Sequence, residues 1–142
     1  MISDLQIYIE SSADWLVGLK PRLESVLNEL LSQEEKSCEW LSVILLSTED
    51  HKVLNSKYLG HDYATDVLTF DYSDNDAIAG EIYIDEMVMM SQAVEYNVTT
   101  EQEFARLVIH GLLHLLGYDD GELKDQKIMK SREDELVRLF QT

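Results

Sequence analysis

The sequence predicts an α+β fold in one domain over 1–142, a mixed four-stranded sheet with about five helices packed on it. Three observations point there. The chain has 142 residues, enough for one sizeable core with little room for a second. Hydrophobic residues make up 45 % and charged residues 27 %, with one proline and six glycines, which excludes disordered and collagen-like classes. Segments of strand period and helical period follow one another with no repeat, linker or shift in composition.

Residues 2–9 alternate as Ile-Ser-Asp-Leu-Gln-Ile-Tyr-Ile, close to the period of a half-buried strand. Over 20–32, Leu23, Val26, Leu27, Leu30 and Leu31 recur at helical spacing, and Pro21 suits a first turn. Residues 40–47, WLSVILLS, read as a buried strand. Thr48, Glu49 and Asp50 form a cap leading into a short helix with Val53, Leu54 and Tyr58. A turn-like break at 60–64 precedes two more strands, 65–72 and 79–84, joined by the polar Ser73-Asp74-Asn75-Asp76. A helix over 85–96 takes Met87, Val88, Met90 and Val94 as its apolar face, with the methionines as core filler. The next helix opens on a capping box, Thr100-Glu101-Gln102-Glu103, and stops at Gly117, suited to a left-handed cap. The last helix, 121–140, carries Ile128, Met129, Leu136, Val137 and Leu139.

Eleven Lys and Arg against 28 Asp and Glu give a net charge of -17. Such a chain repels polyanions at long range, so general nucleic-acid affinity through counterion release, and DNA as a partner, are excluded. Contact with RNA needs a local cationic patch or a metal ion. Cys38 is the only cysteine, so neither an intrachain disulfide nor a CxxC metal clip is expected. The opening MISDLQIYIESS has no basic n-region, and no apolar run approaches the ~20 residues of a membrane helix. The expectation is a cytoplasmic protein without a membrane partner.

The chemistry sits in His110-Gly-Leu-Leu-His114-Leu-Leu-Gly117-Tyr-Asp-Asp120. Histidines four apart lie on one helix face and can offer ring nitrogens to one metal ion. A third ligand has to come from outside the helix, and a residue at positive φ at Gly117 folds the chain back so that Asp120 arrives. The spacing His-x3-His-x2-Gly-x2-Asp follows the metzincin metal signature with Asp for the last His. Asp119 and Glu122 compete for the third position. Three ligands with an open fourth position describe a catalytic zinc. Zincin proteases place Glu directly after the first His as general base, and here that residue is Gly111, which disfavours a peptidase.

HGLLHLLGYDD resembles the HGxLHLxGYDH signature of the YbeY family of bacterial rRNA maturation factors, which are metal-dependent endoribonucleases. A second family block is echoed by Asn55, Tyr58-Leu59-Gly60 and Thr65-Asp66-Val67-Leu68-Thr69-Phe70, and a third by Gly80-Glu81-Ile82. The resemblance implies a hydrolytic, single-strand-specific endoribonuclease working on small-subunit rRNA, at its 3′ end, and in ribosome quality control. One Zn2+ would be held by His110, His114 and Asp120. A second reading is a ribosome-assembly factor with a structural metal. The acidic surface suits a basic ribosomal protein better than RNA in that case.

Two positions depart from the family. Its third histidine is Asp120 here, and the arginine thought to serve the phosphate is Leu59. A guanidinium is the natural partner of a developing phosphorane charge, and Leu cannot replace it. Lys57, His61 and Arg106 are the nearby cations, and the phosphate role is expected of Arg106 or His61, against a salt bridge and a loop surface. Lys124, Lys127, Lys130 and Arg132 form either an RNA patch or a solvated, paired helix face. Glu103 either orients a histidine or caps its helix.

A carboxylate ligand lowers the charge of the metal centre from about +2 to about +1, making a bound water less acidic. Replacing Asp120→His is therefore expected to move the alkaline rise of any metal-dependent activity to lower pH. An unchanged pH profile would count against Asp120 as a ligand.

Overall fold

The computed structural model describes residues 2–9, 18–47, 49–50, 53 and 67–141. Strands β1 (Leu5–Ile9), β2 (Cys38–Leu46), β3 (Val67–Asp71) and β4 (Ile78–Asp85) form one sheet in the order β1-β2-β4-β3. β1 and β2 run parallel, as do β2 and β4, while β3 pairs antiparallel with β4. The mixed four-stranded sheet is as expected. Helix α1 (Leu19–Gln33) lies between β1 and β2 in sequence, and α2 (Glu86–Glu95), α3 (Thr100–Leu115) and α4 (Leu123–Gln141) follow β4. These four helices are those delimited among the described residues. Of the short helix expected after Thr48, Glu49, Asp50 and Val53 are helical and the rest lies outside the described residues. No described helix is long and apolar enough to cross a membrane.

In β2, Leu41, Val43 and Leu45 are buried at period two and their neighbours are half-buried. β4, central in the sheet, buries Ile82 and Ile84 completely. Leu23, Leu27, Leu30 and Leu31 of α1 and Phe104, Leu107, Val108 and Leu112 of α3 complete the core at helical spacing. Cys38 is buried there, and burial pushes its thiol up to about 11. In the β3–β4 hairpin, the Asp74 carboxylate accepts from the Asp76 and Ala77 amides at 2.8 and 2.9 Å, which holds it below the usual carboxylate range.

Three expectations are corrected. The buried residues of α2 are Met89 and Ala93, whereas Met87, Met90 and Val94 are exposed. The run Met87-Val88-Met89-Met90 contains every helical phase, so periodicity could not choose among them. The Asp85 side chain, accepting from the Val88 amide at 2.9 Å, starts the helix straight out of β4 and sets the phase. The capping box of α3 lies one residue early: Thr99 Oγ1 accepts from the Gln102 amide, and the Thr99 amide donates to Gln102 Oε1. Finally, α4 buries Met129, Glu133, Leu136 and Phe140, leaving Ile128 and Leu139 exposed.

Helix α3 lies very close to β4. A Cβ on Gly111 would sit 2.7 Å from Ile82 Cδ1 and 2.9 Å from its Cγ1, and one on Gly80 would sit 2.8 Å from both the Leu115 methyls and the Phe70 carbonyl oxygen. Two glycines thus seat the helix against the sheet, and no side chain fits after His110. Gly111→Ala is expected to destabilise by about 1–3 kcal/mol through overpacking, in excess of the ~1 kcal/mol that alanine gains in a helix. Urea unfolding midpoints at equal slope check this, and an unchanged or raised midpoint would overturn the close-packing argument.

Candidate metal centre

His110 and His114 project from consecutive turns of α3, their rings edge to face with centroids 4.8 Å apart. The helix ends as expected. Gly117 has φ +102, its amide donates to the His114 carbonyl at 3.0 Å, and the Tyr118 amide donates to the Leu113 carbonyl at 3.0 Å. Asp119 Oδ1 then accepts from the amides of Asp120 and Gly121 at 2.8 and 3.2 Å. That turn brings Asp120 back over the helix. Its Oδ2 lies 3.4 Å from His114 Nε2 and 3.7 Å from His110 Nε2.

These three side chains form a group whose ligand atoms all lie within 4.8 Å of one another. Donors on a tetrahedral zinc at ~2.0–2.1 Å stand about 3.3 Å apart, so the two carboxylate distances are close to those of a bound ion. Asp119 spends its carboxylate on the loop backbone, and Glu122 is outside the group; neither takes the third position among the described residues.

The other ring nitrogens fix the tautomers. His114 Nδ1 lies 3.2 Å from the Tyr118 carbonyl, which can only accept, so Nδ1 carries a proton and, in the neutral ring, Nε2 keeps its lone pair. His110 Nδ1 lies 2.8 Å from Glu133 Oε2 and donates to that carboxylate by the same logic. In the neutral imidazoles both Nε2 lone pairs thereby face Asp120, the state a metal requires.

Glu133 is buried on α4 and was not singled out by sequence reasoning. Its signal was a charged residue at the core phase of α4, between Met129 and Leu136. Glu133 Oε1 accepts from Arg106 Nη1 at 2.7 Å, while Arg106 Nε and Nη2 donate to the two oxygens of buried Glu103. Burial alone would raise the Glu133 carboxyl, but the His110 and Arg106 bonds hold it below the ordinary glutamate range. Burial also opposes the Arg106 charge, and the two carboxylates overcome it, fixing the guanidinium as a cation.

Of the two readings of Arg106, the salt bridge is the one seen and the phosphate role is not, because three of its five donors go to Glu103 and Glu133. Glu103 neither caps α3 nor touches a histidine; it holds Arg106. Lys57, Leu59 and His61 lie outside the described residues. In the cationic run Lys124, Lys127, Lys130 and Arg132, Arg132 is paired with Glu34 and Glu135, and Lys130 with Asp134, so a paired helix face describes these two.

The cleft over this group, about 440 Å³, is walled by Val67, Leu68, Thr69 and Asp71 of the β3 edge. Asp120 is half exposed to it and the histidines less so.

The family described as Endoribonuclease YbeY matches residues 10–141. The chain belongs to this family. The Endoribonuclease YbeY of Thermotoga maritima is 37 % identical over 123 residues, covering 86 % of this chain and 78 % of the relative. That of Flavobacterium johnsoniae is 34 % identical over 125 residues, covering 78 % and 89 %. That of Chlorobium phaeobacteroides is 32 % identical over 142 residues, covering 100 % and 98 %. The solution structure of TM1509 from Thermotoga maritima superposes with a TM-score of 0.68 at 35 % identity, covering 99 % of this chain and 89 % of that one. The fold and the endoribonuclease class foreseen from the motifs are those of the YbeY family.

Glu133 touches His110, and would reach a metal held there only through that ring. Glu133→Gln is expected to weaken metal binding about 10- to 100-fold, measured by competition with a chromophoric chelator. Wild-type affinity in a folded Gln variant would sink the orienting role.

Proposed function

We propose that residues 1–142 act as one YbeY-like domain, a zinc-dependent, single-strand-specific endoribonuclease. His110, His114 and Asp120 are its metal ligands, and its place is cytoplasmic rRNA processing at the 3′ end of small-subunit rRNA and ribosome quality control. The observation that supports this best is the convergence of two Nε2 lone pairs and one carboxylate oxygen, open on the cleft side.

A zinc ion bound there supplies an activated water and polarises a phosphoryl oxygen. The chain's own residues do the remaining work. Glu133 and the Tyr118 carbonyl hold the two imidazoles in the ligating tautomer. Gly117 and the Asp119 turn bring up the third ligand, and Tyr118 ties that loop to α1 through Glu34 at 3.3 Å. The β3 edge and the two histidines of α3 bound a cleft in which a single strand lies with its backbone toward the ligands.

One observation favours the assembly-factor reading: Met87, Met90 and Val94 stand exposed on an acidic protein, a surface suited to a basic ribosomal protein.

Cleavage of a precursor small-subunit rRNA fragment separates the two. Wild type loaded with metal is expected to cut it, while chelated wild type and His114→Ala, with or without metal, are not. Equal cleavage by both proteins, or none by either, would overturn the enzyme in favour of a structural metal.

A further inference from the structure

The half-buried residues Gln102, Arg106, His110 and His114 recur every fourth position of α3 and so form one stripe, about 6 Å from one member to the next. The two histidines belong to the metal cleft. The other half of the stripe floors a second cavity of about 520 Å³, a size typical of ligand sites. Tyr96 and Val98, from the α2–α3 connection, and Asp134 and Val137 of α4 close it.

The chemistry of this cavity is specific. Three of the five in-plane donors of Arg106 go to Glu103 and Glu133, and the two carboxylates beside it outweigh its charge toward an anion. Its faces are a different matter: Cζ lies 5.7 Å from the Tyr96 ring centroid, and Tyr96 is itself half exposed. Lys130, the other cation in the lining, is held by Asp134 at 2.9 Å. What remains is a fixed, polarisable platform between apolar walls, with amide and carboxylate groups at the rim. Such a surface recognises a flat, uncharged heteroaromatic ring and not a phosphate.

We propose that this cavity is a nucleobase subsite, which takes an unpaired base of the RNA strand lying across the metal cleft and stacks it against Tyr96 and Arg106. The subsite rests on the endoribonuclease reading for its substrate. Arg106 stands one turn from His110, so the bound base belongs to a near neighbour of the cleaved bond. Because no phosphate contact is involved, the subsite gives an acidic protein a hold on RNA that needs no cationic patch.

Two measurements test this. In the first, AMP, GMP, CMP and UMP are titrated into the metal-loaded protein while amide and aromatic NMR signals are followed, with ribose 5-phosphate as the probe lacking a base. At least one nucleotide is expected to shift Tyr96, Val98 and Val137, ribose 5-phosphate is not, and the shifts are lost in Tyr96→Ala and kept in Tyr96→Phe. Shifts confined to the metal cleft, or equal with ribose 5-phosphate, would overturn the subsite. In the second, Tyr96→Ala is expected to raise KM for a single-stranded RNA about 5- to 100-fold, with kcat changed less and Tyr96→Phe restoring it. Cleavage with an unchanged KM and no cavity shifts would remove the subsite and leave the nuclease. Cavity shifts in a protein that cuts no RNA would keep the subsite and remove the nuclease.

Discussion

The buried ion cluster of Glu103, Arg106 and Glu133 is the constraint on which both the helix packing and the metal group depend. Two carboxylates, almost wholly buried, share one guanidinium. Taking three charges out of water is costly, and removing one partner of such a cluster typically costs about 3–5 kcal/mol by stranding the others. Glu103 comes from the start of α3 and Glu133 from the middle of α4, so the cluster also fixes how those helices meet. Because Glu133 reaches on to His110, the same contact that docks α4 sets a ligand tautomer.

The charge of this cluster does not balance by itself. With neutral histidines, Glu103, Glu133 and Asp120 outweigh Arg106 by two units, within a few contacts of one another. A divalent cation at the two Nε2 atoms and Asp120 brings the sum to zero. A divalent ion thus fits both the acidic surroundings and the ligand group. The close seat of α3 on β4, made possible by Gly80 and Gly111, serves this arrangement by holding the histidine stripe at the β3 edge.

Much of this was legible in the sequence because it is local. The apolar run of β2, the i,i+4 histidines, the positive φ of Gly117 and the return of Asp120 each follow from a few neighbouring residues. What stayed hidden depends on tertiary choice. Thr99 and Thr100 both offer a cap, and the earlier one forms the box; Glu103 lies buried against Arg106. In α2 the apolar run permits any phase, and the Asp85 cap settles it. Glu133 looks like a surface acid until its core phase, beside Met129 and Leu136, is weighed against its partners on another helix.

Arg106 shows why a missing residue cannot be replaced by the nearest one of the same type. The spacing that puts it on the metal-facing stripe is real, yet stripe membership does not free a side chain for substrate. Three of its five donors are bonded to two buried carboxylates, and the energy that holds it there would be forfeited if it turned to a phosphate. A guanidinium immobilised in this way has lost its value as an anion clamp while keeping its flat faces. The same ion cluster that denies Arg106 the role of the family arginine thus makes it a rigid wall beside Tyr96. In a chain with net charge -17, recognition through ring faces and a metal ion is the route that long-range repulsion hinders least.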